Sequence, residues 1–145
     1  MTAPKRILVP LDFSEQSTRA LAYAKMLAEV CGASLELLHV VPNPYISDGS
    51  GLYTSLPQSF LDNFEREALA RLEEALTPAE RTSFSVKNSV KTGDPLFEIV
   101  EHARLAHVDL IVMGTHGRTG VSHLLLGSVA ERVVRNAPCP VVTVR

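Results

Sequence analysis

Short apolar runs alternate with amphipathic stretches along this chain of 145 residues. The runs at 5–10, 34–41, 109–113 and 140–144 have the apolar character of strands buried on both faces of a sheet. A further run at 84–90 alternates apolar and polar residues, which is typical of a strand near a sheet edge. Because helical patterns separate these runs, the order of elements predicts an α/β fold with a mostly parallel sheet.

The helical stretches show apolar residues every three or four positions, as expected for helices that lie on a sheet. We predict helices over about 15–30, from Pro57 to 76 with Phe64 and Leu72 in its buried stripe, from Pro95 onward, and over about 128–136. Local signals support the boundaries: Asp12 and Ser14 offer caps for the first helix, Gly32 ends it, and Asp94 caps the third. Thr77 and Pro78 close the second helix.

Residues 42–56 are rich in Pro, Ser, Gly and Asn and predict the longest loop of the chain. Loops of this length in compact domains are usually either mobile or ligand-covering, and the sequence leaves both interpretations open.

The length suits one domain spanning 1–145, and 46% hydrophobic residues argue against disorder. A formal net charge of -2, with acidic and basic residues well mixed, makes nucleic acid a poor candidate partner. No stretch has the apolar length of a membrane span or the core of a signal peptide, so we expect no membrane insertion and a cytoplasmic location. Cys31 and Cys139 are far apart in sequence and are expected to be small core residues.

Glycines cluster after the apolar run at 109–113. Gly114, Gly117 and Gly127-Ser128 form the pattern Gly-x-x-Gly-x9-Gly-Ser, which is neither a P-loop nor a dinucleotide fingerprint. Glycine lets main-chain N–H groups approach phosphate oxygens closely, and a helix that begins at Ser128 adds its free N–H groups and partial positive charge. The sequence therefore predicts a phosphate site in which Arg118 supplies a countercharge.

Simpler interpretations stand beside these. Each glycine alone is more often a turn residue, and Asp12 is equally compatible with a helix cap and with ligand contact. His39 is expected to be a hydrogen-bonded core or pocket-wall residue, whereas His102 and His107 are expected at the surface. Zinc ligation by His116 and His123 is improbable because no acidic residue lies between them.

Three segments make the chain similar to the universal stress protein family, single-domain ATP-binding type: KRILVPLDFSEQSTRAL, LELLHVV and DLIVMGTHGRTGVSHLLLGSVAERVVRNAPCPVVTV. The resemblance covers essentially the whole chain. It implies a doubly wound five-stranded parallel sheet in the order 3-2-1-4-5 with helices on both faces, and homodimers formed through the last strand. It also implies ATP as ligand, together with Mg or Mn held in part by Asp12.

Carried over by position, the resemblance places a set of residues around the nucleotide. Asp12 would lie by the ribose, the phosphates or their metal ion, and Val40 would meet adenine through its main chain. The full set is Pro10, Asp12, Val40, Met113, Gly114, Gly117, Arg118, Gly120, Gly127, Ser128 and Val129.

Three functions compete on this sequence. The favoured one is a nucleotide-dependent regulatory or sensor protein of the stress response, whose downstream partner the sequence does not identify. The alternative is a slow ATPase or another ATP-cleaving enzyme of the same architecture. It has weaker support because the loop at 10–14 has no glycine to wrap pyrophosphate. The sequence also shows no obvious general base beside the glycine cluster, although Asp12 or His116 could position a water molecule. A ligand-free scaffold is disfavoured because it would not need glycines that let phosphate approach the main chain.

Overall fold

A computed structural model describes residues 2–43, 45–47, 49–116 and 126–145 of the chain. Its main sheet consists of β1 (Arg6–Pro10), β2 (Ser34–Pro42), β5 (Lys87–Gly93), β6 (Leu110–Gly114) and β7 (Val141–Val144). These strands are all parallel and lie in the order β5-β2-β1-β6-β7. Counted among these five strands alone, the order is 3-2-1-4-5, which confirms the expected topology.

Helices cover both faces of the sheet. They are α1 (Glu15–Cys31), α2 (Gln58–Glu74), α3 (Pro78–Ser83), α4 (Pro95–Leu105) and α5 (Ser128–Asn136). Apolar residues of α1 and α2 join one core cluster, and those of α4 and α5 join the other. Successive strand residues point to opposite faces, so Ile7 and Val9 enter the first cluster while Leu8 enters the second. The doubly wound architecture is therefore confirmed.

The predicted loop at 42–56 is wrong in part. It contains a small antiparallel hairpin made of β3 (Tyr45–Ser47) and β4 (Tyr53–Ser55). Strands of three residues leave too few positions for a period-two pattern, so they could not be recognised from the sequence.

The segment between α2 and β5 also differs from the prediction. α2 ends at Glu74, before Thr77 and Pro78 as predicted, but these two residues also begin a further helix, α3, that was not predicted. The Thr77 hydroxyl accepts from the Glu80 N–H, and the Glu80 carboxylate accepts from the Thr77 N–H. The strand expected at 84–90 begins only at Lys87, because Ser85 has a φ of 46° in the left-handed region and cannot continue an extended strand.

Only the second half of α2 is anchored. Ala68 and Leu72 are buried, whereas Phe64, expected in the buried stripe, is 43% exposed and Phe60 is 53% exposed. The first half of the helix therefore extends past the core.

His102 was expected at the surface, and this is wrong. Its Nε2 lies 2.9 Å from Oε2 of Glu36, and the two side chains are only 13% and 9% exposed. The pair ties α4 to β2 across the second core cluster, and a charged residue in an apolar strand thereby obtains its partner.

The cysteines are partly buried, each against a different core cluster. Burial, reinforced by the charge of Asp109, raises the pKa of the Cys139 thiol, which makes nucleophilic chemistry there unfavourable. Within the described ranges, no helix is both long enough and apolar enough to cross a bilayer.

Candidate functional site

The winding direction of the sheet reverses between β1 and β6. From β1 the chain builds β2 and β5 on one side and then crosses to β6 and β7 on the other. The carboxyl ends of β1 and β6, at Pro10 and Gly114, therefore lie next to each other. In open α/β sheets this is where ligands bind.

Hydrogen bonds to β2 and within the loop hold the segment after β1 in place. The Leu11 N–H donates to the Leu38 carbonyl at 2.8 Å, and Oδ1 of Asp12 accepts from the Ser14 N–H at 3.0 Å. The Ser14 hydroxyl in turn accepts from the Ser17 N–H at 3.2 Å and caps α1. Ser14 is thus the N-cap, and Asp12 shapes the turn that precedes it.

Gly114 allows the end of β6 to approach the first turn of α1. A Cβ at this position would lie 3.0 Å from the backbone carbon of Gln16 and 3.1 Å from the Ser17 nitrogen. Such contacts are tighter than a side-chain carbon normally makes, so any other residue would push strand and helix apart.

Gly127 brings the start of α5 against the segment that follows β6. Its N–H donates to the Thr115 carbonyl at 2.6 Å, and a Cβ here would lie 2.6 Å from that same oxygen. The Thr115 N–H donates to the Val144 carbonyl at 2.8 Å, which fixes Thr115 to the end of β7. Both described glycines of the motif thus have a packing reason, and together they bring β6, α1 and α5 to one place.

The first turn of α5 offers main-chain donors at this place. Gly127 is the N-cap and supplies no capping side chain. The N–H groups of Ser128 and Val129 have no acceptor inside the helix, and the helix dipole adds partial positive charge there. The arrangement favours an anion.

The apolar residues of the predicted set lie on one face of the sheet. Met113 is buried in the cluster formed by α4 and α5, and Val40 and Val129 pack against that cluster. All three side chains thus belong to the same apolar cluster, beneath the carboxyl ends of the strands.

His116, for which zinc ligation was judged improbable, has one ring nitrogen with a hydrogen-bond partner and one without. Its Nδ1 lies 3.1 Å from Oγ1 of Thr115, whereas its buried Nε2 has no hydrogen-bond partner among the residues that the structure describes. An unpaired buried polar atom is unfavourable by about 1–3 kcal/mol, so this imidazole is suited to meet a polar ligand group.

Sequence reasoning missed one cluster beside the site. The Phe13 ring stacks on the His39 ring, with centroids 4.6 Å apart, and the Arg71 guanidinium lies 3.9 Å from the Phe13 centroid. His39 had been expected to be hydrogen-bonded, and its Nδ1 lies 2.6 Å from the Leu11 carbonyl. The only hint of the cluster in the sequence was the place of Phe13 next to Asp12.

Three predicted site residues, Gly117, Arg118 and Gly120, lie outside the described residues, as does His123. In the part of the chain that is described, no group of three His, Cys, Asp or Glu side chains is placed to hold a metal ion.

Comparisons with known proteins agree on one family. The model of the universal stress protein family matches residues 4–145. Universal stress protein MJ0531 of Methanocaldococcus jannaschii is 37% identical over 142 residues, which cover 97% of this chain and 82% of that protein.

Two solved structures have the same fold. The structure of MJ0577, from the same organism, has a TM-score of 0.79 at 30% identity. The match covers 99% of this chain and 96% of the MJ0577 chain. The structure of a universal stress protein in complex with cAMP has a TM-score of 0.62 at 26% identity. The match covers 99% of this chain and 98% of the chain in that structure.

Proposed function

This chain belongs to the universal stress protein family, and we propose that it is an ATP-binding regulator in which nucleotide occupancy, and not rapid turnover, carries the signal. The observation that carries the proposal is the contact of Gly127 with Thr115, which brings the first turn of α5 to the carboxyl end of β6 at the switch point of the sheet. Main-chain donors and a helix dipole then meet where open α/β sheets bind ligands.

We assign a role to each end of the nucleotide. Adenine packs near Val40 and Met113, and the phosphates meet the amides of Ser128 and Val129. The cAMP complex of a family member supports an adenine nucleotide as the ligand class. In the proposal, Pro10 and Gly114 border the ligand, and Gly117, Arg118 and Gly120 complete the phosphate loop.

Asp12 is the proposed protein contact of the nucleotide's Mg or Mn ion. Carboxylate oxygen is the donor that such hard cations prefer, and in nucleotide sites Mg²⁺ is usually bound by one or two carboxylates together with the phosphates. The metal neutralises phosphate charge when it is bound.

Two variants of Asp12 separate its charge from its part in the turn. Asp12→Asn keeps an oxygen that can accept from the Ser14 N–H but removes the negative charge, whereas Asp12→Ala removes both. Asp94→Asn is the matched control, because Asp94 also follows a strand and its Oδ2 accepts from the Phe97 N–H as an N-cap.

The experiment begins with protein purified without added nucleotide, denatured, and analysed for released small molecules. Calorimetric titration with ATP, with and without Mg²⁺, follows for each variant. We expect resident or titratable adenine nucleotide, a Mg²⁺-dependent gain in affinity that Asp12→Asn abolishes, and wild-type behaviour for Asp94→Asn. Several ADP molecules released per protein per minute, lost in Asp12→Ala, would instead support the slow ATPase. If the wild-type protein binds no nucleotide, the result would support a ligand-free scaffold.

We further propose that the protein forms a homodimer through β7. This strand pairs with β6 on one side and is the edge of the sheet within the described residues, and Val141 and Val142 are only partly buried. The Pro140 and Val144 carbonyls accept from β6 and Thr115, so the main-chain groups of Val141 and Thr143 point to the outer edge.

A substitution in β7 tests the dimer. Thr143→Pro removes an outward N–H without removing a hydrogen bond to β6, and proline is tolerated on edge strands. Light scattering should give twice the chain mass for the wild type and for the Thr143→Val control, and the chain mass for Thr143→Pro. A monomeric wild-type protein would reject this interface.

A further inference from the structure

Phe13, next to Asp12, has a backbone conformation that needs an explanation. Its φ is 64°, in the left-handed region that residues other than glycine rarely adopt. Such a conformation persists only where surrounding contacts enforce it, and it is enriched at functional sites. In this structure two sets of contacts hold Phe13.

One set of contacts comes from β2. The Phe13 ring stacks on His39 with an interplanar angle of 30°. Because a carbonyl oxygen only accepts hydrogen bonds, Nδ1 of His39 carries the proton that it donates to the Leu11 carbonyl, at 2.6 Å. His39 thus contacts the loop at two residues, Leu11 and Phe13, on either side of Asp12.

The other contact comes from α2, far along the chain. The Arg71 guanidinium lies 3.9 Å from the Phe13 centroid, within the range of a favourable cation–π interaction. Arg71 is itself exposed but lies beside the two buried anchors of its helix, Ala68 and Leu72. It therefore projects from the anchored half of α2, which packs against β2 and β5.

We infer that Arg71 is a positioning residue of the nucleotide site: its guanidinium holds the Phe13 ring against His39 and thereby fixes the turn that presents Asp12. This inference rests on the proposed function for its effect on ligand binding. Its effect on the loop itself is independent of any ligand. Arg71 does not touch the nucleotide in this scheme, and it acts through Phe13.

The experiment compares four variants. Arg71→Ala removes the cation, Arg71→Lys keeps the charge but loses the planar guanidinium, and Phe13→Leu keeps an apolar side chain without the ring. Arg66→Ala is the matched control, because Arg66 is exposed on the same helix and its hydrogen bond is to the Asn63 side chain.

The first readout needs no nucleotide. Amide exchange measured by NMR should become about five-fold faster at Ser14 and Leu11 in Arg71→Ala, less so in Arg71→Lys, and should not change in Arg66→Ala. Exchange at Leu37, in the buried part of β2, should stay at its wild-type rate. Equal acceleration at Leu37 would show a general loss of stability and would overturn the inference.

The second readout is affinity for Mg·ATP. Arg71→Ala should bind about five-fold more weakly than the wild type, and the double variant Phe13→Leu/Arg71→Ala should lose no more than Phe13→Leu alone, because the two side chains act as one unit. Additive losses, or an equal loss in Arg66→Ala, would contradict a role through Phe13. A wild-type protein that binds no nucleotide defeats the proposed function, while the amide exchange still decides whether Arg71 positions the loop.

Discussion

The contact between Gly127 and Thr115 predicts the result of a one-carbon change. In Gly127→Ala, the new Cβ would lie 2.6 Å from the Thr115 carbonyl oxygen and 3.3 Å from the His116 Cα. Ordinary contact begins near 3.4 Å, so α5 and the segment after β6 must separate by about 0.8 Å. The backbone angles of Gly127, φ -60° and ψ 154°, are available to alanine, so the whole effect is steric.

The magnitude follows from this overlap. Extra carbons in a well-packed region destabilise a fold by about 1–3 kcal/mol, and separation also weakens the hydrogen bond from Gly127 to Thr115. We expect a loss of free energy of unfolding in this range. Because the amides of Ser128 and Val129 move away from the end of β6, ATP affinity should fall by about ten-fold or more, equivalent to about 1.4 kcal/mol.

Urea denaturation followed by circular dichroism measures the first effect, and calorimetric titration with Mg·ATP measures the second. Gly32→Ala is the control: Gly32 ends α1 with a φ of 64°, at the opposite end of the sheet, and nothing lies within 4 Å of a Cβ there. It should lose about 1 kcal/mol of stability through backbone strain and keep its affinity. Wild-type stability and affinity in Gly127→Ala would refute the steric reasoning.

Three more predictions concern stability. His102→Ala leaves the buried Glu36 carboxylate without its partner and should lower the free energy of unfolding by about 3 kcal/mol in urea titrations, whereas replacing both by leucine should restore most of it. Ser14→Ala removes the cap of α1 and should cost about 1 kcal/mol by the same assay, while Ser14→Asp keeps it. The hydrogen bond from Lys25, together with that from the Thr77 N–H, lowers the pKa of Glu80 below 4.5. The stabilisation by the Glu80 carboxylate is therefore present above pH 4.5 and is lost as the pH falls through the lowered pKa. Lys25→Met should therefore flatten the acid limb of a stability-against-pH curve.

Features coded by adjacent residues were predictable from the sequence. Asp94 and Pro95 begin α4 as expected, and Gly32 ends α1, because a cap and a left-handed glycine act within one turn. Pro78 was expected only to follow the end of a helix, but it also begins α3, by the same first-turn preference of proline that begins α4.

Features that join distant elements could not be predicted. Glu36 and His102 are 66 positions apart, and nothing local indicates that a glutamate in an apolar strand meets a histidine on α4. The stack of Phe13, His39 and Arg71 joins a loop, a strand and a helix in the same way. The glycines at 114 and 127 were found by their spacing, but their close contacts with Gln16 and Thr115 appear only in three dimensions.

Thr115 is held from both sides, by the end of β7 through its N–H and by α5 through its carbonyl. Thr115 thus connects β7, the strand of the proposed dimer interface, to the start of α5, where the phosphates are proposed to bind. Dimerisation and ligand binding then belong to one thermodynamic cycle: if the ligand binds the dimer more tightly than the monomer, ligand binding strengthens the dimer by the same factor. Titrations at high and at low protein concentration would then yield different dissociation constants.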